Sequence, residues 1–257
     1  MPITSRRAIL ERIRLYGHGR GGDGKSLPDT ASITSFQVYY GLNPDGIIGP
    51  ATERAALLPR CGVLDAIRVG NICKWHPDTT HLRYAFLSYA PGPSPADWQS
   101  IARDATSQIS SYCNLTFSQV DRTESPHFTI AADTRDGPSG ILADAELCCG
   151  IERQRPTRLT FDNRESWDLT GRSGRIHAPA VFKHELLHIL GSDHRPISEG
   201  PALLNPTYTT SVLDYLAWDI SQVQLRYGVR STPPPAPGTI TLVIKGEVLS
   251  HRLIPRV

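Results

Sequence analysis

Apolar positions near the start of the chain recur at helical spacing. RRAILERIRLYG (6–17) is amphipathic, and a glycine-rich break, GHGRGGDG (17–24), interrupts it. ITSFQVYYGLNPDGIIGPATERAALL (33–58) then predicts two helices around an Asn43-Pro44-Asp45-Gly46 turn, the second opening at Gly49-Pro50-Ala51-Thr52. Phe36, Val38, Leu42, Ile47, Ile48 and Leu57 are the expected core of this part. From about Cys73 the period changes. HLRYAFLSYA (81–90) alternates as a strand does, and SPADWQSIARDATSQISSYC (94–113) predicts a helix capped by Ser94 with Pro95 at its first position. LTFSQV, HFTIAAD, ILADA and RLTFD add further short strands before a helix with six apolar residues, VFKHELLHIL (181–190). Beyond it STPPPAPG (231–238) is a polyproline linker, and ITLVIKGEVLSHRLIPRV (240–257) forms one extra strand or stays disordered.

The last helix carries the chemistry. Val181 to His194, VFKHELLHILGSDH, spells HExxHxxGxxH. His184 and His188, four residues apart, leave one face of a helix and can share a metal ion. Gly191 can end the helix and turn the chain so that His194 reaches the same ion. Three neutral imidazoles leave a tetrahedral zinc with a fourth position open, the catalytic pattern, and Glu185 beside them fits a general base. The five-residue core alone arises by chance in roughly one chain in a hundred of this length, and the added Gly and His lower that to about one in ten thousand. Coincidence is thereby set aside. Val181, Phe182, Leu186, Leu187, Ile189 and Leu190 are expected to pack the rest of the helix into the core.

Composition narrows the setting. The chain has 257 residues, enough for a full domain and a small extra one, and a formal net charge of +2 argues against a dedicated nucleic-acid binder. Arg6, Arg7, Arg12, Arg14 and Arg20 look like a solvated helical face. GRGGDGKS (19–26) lacks the phosphate-loop spacing and is expected to be linker. No apolar run approaches membrane-spanning length, and MPITSRRAILERIRLYG contains no secretory apolar region, so any signal peptide lies outside this sequence, export is unconventional, or the protein stays inside the cell. Five cysteines (61, 73, 113, 148 and 149) leave at least one unpaired if the others bridge within the chain, and the pairing of the last four is open.

Cys61 lies in PRCGVLD, which resembles the PRCGxPD cysteine switch of matrix metalloproteinase propeptides. That resemblance implies that Cys61 occupies the fourth zinc position in a latent form, and that Arg60 and Asp65 pair to hold the loop in the cleft. Leu64 replaces the family's proline, which implies a looser latch. Residues 33–58 resemble the peptidoglycan-binding-like three-helix module of the same propeptides, and residues 74–228 resemble the matrixin catalytic domain. The implied fold is α+β: a metzincin domain with a twisted, mostly parallel sheet and an HExxH helix, preceded by a small three-helix propeptide. The implied domains are 1–65, a propeptide ending in the switch, 66–229, the metallopeptidase, and 230–257, linker and tail.

Local matches extend the comparison. DGPSGILADA resembles the family's DGPGGxLAHA, and TFDNRESW its HFDxDExW. They imply a structural calcium bound by Asp136, Asp162 and Glu165 with the carbonyls of Gly137, Ser139 and Ile141. The family's second zinc loses its ligands, because Asp144 and Thr160 stand where it has histidines, so one zinc is expected. GPALLNPTY resembles the Met-turn region, with Leu204 at the methionine. Leu142 and Ala143 on the edge strand, with Pro206 and Tyr208 opposite, are the implied substrate contacts, and an apolar residue after the scissile bond is the implied preference.

The function these features imply is a secreted-type zinc endopeptidase made as a zymogen, acting on proteins or peptides outside the cell. An activating protease cleaves beyond Asp65, and neither nucleic acid nor membrane insertion is involved. The alternative is a latent metzincin whose N-terminal module binds cell-wall glycan.

Overall fold

The computed structural model describes residues 5–19, 27–65, 73–148, 155–172 and 174–231, together with the backbone of 239–244 and 247–252. Arg20, most of the 19–26 segment, Cys149 and the polyproline run lie outside the described residues.

Three short helices open the chain: α1 (Arg6–Ile13), α2 (Thr30–Tyr39) and α3 (Pro50–Leu57). Ser5 caps α1, Asp29 caps α2 through Ser32 N, and Pro50 starts α3, where its missing N–H costs nothing. Their core is Ile9, Ile13, Tyr16, Phe36, Tyr39, Tyr40, Ala55 and Ala56. Val38 and Ile47, expected inside, are 53% and 64% exposed. Tyr39 and Tyr40 bury in place of Val38, and a loop fastened by Asp45 and Gln37 holds Ile47 outward. The expected glycine break is also ordered at its start: residues 14–18 form a wide helical turn, with Gly17 at φ 96° and His18 buried edge-on to Phe36.

The larger body centres on a six-stranded sheet in the order β1-β5-β6-β4-β2-β3: β1 (Arg60–Cys61), β2 (His81–Phe86), β3 (Thr116–Gln119), β4 (Phe128–Asp133), β5 (Ile141–Ala145) and β6 (Thr157–Asp162). All neighbours run parallel except β5 against β6. The fold is thus α+β with a mostly parallel sheet. The long helix α4 (Pro95–Tyr112) begins with a Ser94–Asp97 capping box and buries Trp98, Ile101, Ala105 and Ile109. Trp98 donates to Ala90 O at 2.9 Å and packs on Phe161 and Trp167.

Two residue pairs, β7 (Trp167–Asp168) and β8 (Ile176–His177), lead into α5 (Ala178–Ile189), which His177 caps by accepting from Ala180 N. Every α5 residue but Pro179 is buried, so this helix lies inside the domain between α4 and the sheet. Helix α6 (Ala217–Tyr227) closes the body. The described part of the tail is two strands rather than one added strand: β9 (Thr239–Ile244) and β10 (Glu247–Arg252) pair with each other as an antiparallel hairpin.

Candidate metal centre

Helix α5 aims His184 and His188 to one side, and the chain turns at Gly191 to bring His194 against them. Gly191 has φ +89°, and a Cβ there would stand 2.1 Å from Cys73 O, so only glycine fits. His184 Nε2 lies 3.1 Å from His188 Nε2 and 3.3 Å from His194 Nε2. Cys61 Sγ completes the group, with all four ligand atoms within 4.8 Å of one another and all four residues buried.

The tautomers follow from the outer nitrogens. His184 Nδ1 donates to Leu203 O and His188 Nδ1 to Ser192 O, each at 2.7 Å, and His194 Nδ1 faces Asp65 Oδ1 at 3.2 Å. All three outer partners are acceptors, so the protons sit on Nδ1 and three Nε2 lone pairs converge with no proton among them. Burial keeps the rings neutral: His184 is pushed down to about 3, His188 well below the ordinary value and His194 below it, each mainly by desolvation. Lone pairs at 3.1–3.3 Å repel unless a cation lies between them, and imidazoles about 2.0–2.1 Å from a tetrahedral zinc stand about 3.3–3.4 Å apart. The residues therefore fit zinc.

Glu185 sits at the cage wall, fully buried, and neither carboxylate oxygen makes an aligned hydrogen bond. Burial drives its pKa well above the ordinary value, opposed by the adjacent Cys61 thiol. Burial and Glu185 likewise raise Cys61. Such a glutamate, desolvated beside the cage, is poised to exchange a proton. Leu204 is fully buried, and Leu203 N and Leu204 N both donate to Asp219, which fixes this segment beside the cage.

The 59–62 segment enters the cleft as a strand. Arg60 N donates to Gly140 O, Gly62 N to Ala143 O and Cys61 N to Pro206 O, while Tyr208 N donates back to Pro59 O. β1 is parallel to β5 and antiparallel at Thr207, so the cleft is lined on both sides by main-chain partners. Beside Glu185 a small cavity of about 30 Å³ is lined largely by apolar groups, including Leu142, Val181, Leu203, Tyr208 and Val212. Leu142, Ala143, Pro206 and Tyr208 are thus brought together, and Tyr208 Oη also accepts from His177 N.

Arg60 and Asp65 form a buried two-point ion pair, 2.7 and 2.9 Å. The sequence reading missed the groups that enclose it: Tyr40 Oη, which accepts from Arg60 at 2.6 Å, Tyr16, whose ring lies 4.0 Å from the guanidinium carbon, and His18, 3.3 Å from Asp65. Their signal was the aromatic group Phe36, Tyr39 and Tyr40 at helical spacing, with Tyr16 on the preceding helical segment, and a lone arginine in PRCGVLD for them to enclose.

The expected calcium residues come together from two segments, the β4–β5 loop and the end of β6 with the turn after it. Asp162 Oδ2 accepts from the amides of Arg135, Asp136 and Gly137, Glu165 Oε1 from Ser139 N and Asp136 Oδ1 from Ile141 N. Burial and mutual repulsion raise Asp136 and Glu165. Asp144, where the resemblance had a histidine, pairs with Arg135 at 2.6 Å.

Residues 74–228 match the model of the Matrixin peptidase family. The chain belongs to the matrixin family. It is 30% identical to matrix metalloproteinase-18 of Xenopus laevis over 250 residues, covering 90% of this chain and 51% of that protein. It is likewise 30% identical to interstitial collagenase of Oryctolagus cuniculus, covering 78% of this chain and 43% of that one. Metalloendoproteinase 1-MMP of Arabidopsis thaliana is 28% identical, with 98% and 78% covered. The chain spans about half the length of these two animal relatives. No helix among the described residues is long and apolar enough to cross a membrane.

Proposed function

We propose that this matrixin is a zinc-dependent endopeptidase held latent by its own N-terminal segment. The observation that carries the reading is the convergence of three proton-free Nε2 atoms with the Cys61 thiol in one buried cage. His184, His188 and His194 would hold the ion, with Cys61 as fourth ligand in the latent form. Zinc bound there would polarise the peptide carbonyl and acidify the attacking water. Glu185 accepts the proton of that water and passes it to the leaving amine. The β5 edge and the 205–208 segment, which now bond the switch backbone, would bind an extended substrate in its place. The apolar cavity beside Glu185 favours an apolar side chain after the scissile bond.

Residues 1–65 act as the propeptide, 66–229 as the peptidase and 230–257 as linker and tail. An activating protease cutting beyond Asp65 would release the block, and relatives named matrix metalloproteinase and interstitial collagenase support extracellular protein substrates. Asp136, Asp162 and Glu165, with the carbonyls of Gly137, Ser139 and Ile141, would bind calcium and brace the β4–β5 loop.

The test follows casein cleavage with zinc present. Wild type is expected to act only after a thiol-binding mercurial, Cys61→Ala without one, and Glu185→Ala never, though all three bind zinc. Zinc binding without cleavage by any variant would overturn the reading and favour a latent protein.

A further inference from the structure

The cage is asymmetric in what stands behind it. His184 and His188 are steered by Leu203 O and Ser192 O, carbonyls of the peptidase body. His194 Nδ1 has no aligned hydrogen bond, and the acceptor beside it, 3.2 Å away, is the carboxylate of Asp65, with side-chain exposures of 1% and 0%. Asp65 belongs to the switch loop, four residues beyond Cys61. Its other oxygen is fixed by Arg60 Nη1 at 2.9 Å, Tyr40 Oη at 3.2 Å and His18 at 3.3 Å, so the group is held facing the ring.

We infer that Asp65 is a positioning residue for the metal, the outer partner of His194, so that the propeptide holds zinc at two points: a thiol inside the cage and a carboxylate behind its third ligand. The inference rests on the zinc reading above. An acceptor behind a ligating imidazole fixes its tautomer and raises its basicity, and losing one typically weakens metal binding about 10- to 100-fold. A carboxylate is the stronger acceptor because it is charged, even where the N–H is not aimed straight at the oxygen. When the propeptide leaves, His194 loses this partner while His184 and His188 keep theirs. Activation thus lowers zinc affinity beyond the loss of the thiolate, and zinc in the mature enzyme becomes the more readily removed by chelators.

Asp65 also seats Cys61 through Arg60, so the test removes the thiol first. Zinc affinity of the full chain is measured by competition with a chromophoric chelator in Cys61→Ala and in Cys61→Ala/Asp65→Asn. The expected result is one zinc per chain in both, bound about tenfold or more weakly in the double variant. Equal affinities in folded proteins would show that Asp65 acts only by seating the cysteine, which overturns the inference and leaves the zinc site standing. Absence of zinc binding in wild type and Cys61→Ala would instead overturn the zinc reading itself. Should the asparagine variant not fold, nitrogen-15 spectra of zinc-loaded wild type decide. A His194 Nδ1 proton shifted downfield by a carboxylate and protected from exchange is expected, and a solvent-exchanging Nδ1 proton would contradict the proposal.

Discussion

Replacing Arg60 with alanine should free the Cys61 loop from the cage while leaving the larger body folded. The guanidinium is 1% exposed and donates to Cys61 O, Val63 O, Tyr40 Oη and both Asp65 oxygens. Without it Asp65 is left buried and charged, and stranding one partner of a buried pair costs about 3–5 kcal/mol. Neutralising the carboxylate sets a ceiling. From an ordinary value of 3.8, protonation at pH 7 spans about 3.2 units at 1.36 kcal/mol each, about 4.4 kcal/mol. In the undocked loop both side chains return to water, so the cost falls on the closed state alone. About 3–4.4 kcal/mol shifts the closed-to-open equilibrium by about two to three decades. The assay is alkylation of Cys61 in the zinc-loaded full chain, followed by mass, with Cys113 as the internal control for an intact fold. Labelling of Cys61 about 100- to 1,000-fold faster than in wild type is expected. A folded variant whose Cys61 reacts at the wild-type rate would refute the argument that this ion pair is the latch.

Other outcomes follow from burial and backbone geometry. Burial pushes the Cys113 thiol up to about 11 and Cys148 up to about 12. At pH 8 about one Cys113 in a thousand is therefore thiolate, and neither residue should label in native protein, whereas both should label in denaturant. Leu204→Met keeps volume and apolarity and should change stability by less than about 1.5 kcal/mol, while Leu204→Ala should cost about 2–5 kcal/mol in denaturant unfolding. Gly191→Ala forces a Cβ onto Cys73 O and should abolish stoichiometric zinc binding, measured by metal analysis of the purified protein. Calcium should raise the thermal midpoint of wild type but not of Asp162→Asn, and an equal rise in both would remove the calcium assignment from these residues.

The parts of this protein that were legible in the sequence are those where one local rule decides the outcome. The i, i+4 histidines and the turning glycine announce the cage, because helix pitch fixes two ligands and positive φ allows the third. Ser94-Pro95 fixes the start of α4, and alternation finds β2 and β4. In the N-terminal helices the same rules fell short. Val38 and Ile47 are apolar but exposed, since three short helices offer little interior and the larger rings of Tyr39 and Tyr40 take it. The strand at Arg60–Cys61 was equally hidden: these residues carry no strand pattern, and their pairing comes from partners about 80 and 145 residues away, at Gly140, Ala143 and Pro206. Nor could spacing show that His18, next to a glycine-rich segment, folds onto Asp65. These contacts join distant segments, and no local period encodes them.

The proposed function stands on Cys61 and three histidines sharing one zinc. X-ray absorption at the zinc edge of the zinc-loaded full chain tests it most directly. Three nitrogen scatterers at about 2.0–2.1 Å and one sulfur at about 2.3 Å are expected, with the sulfur shell lost in Cys61→Ala. A shell of nitrogen and oxygen alone in the wild-type zymogen would contradict it.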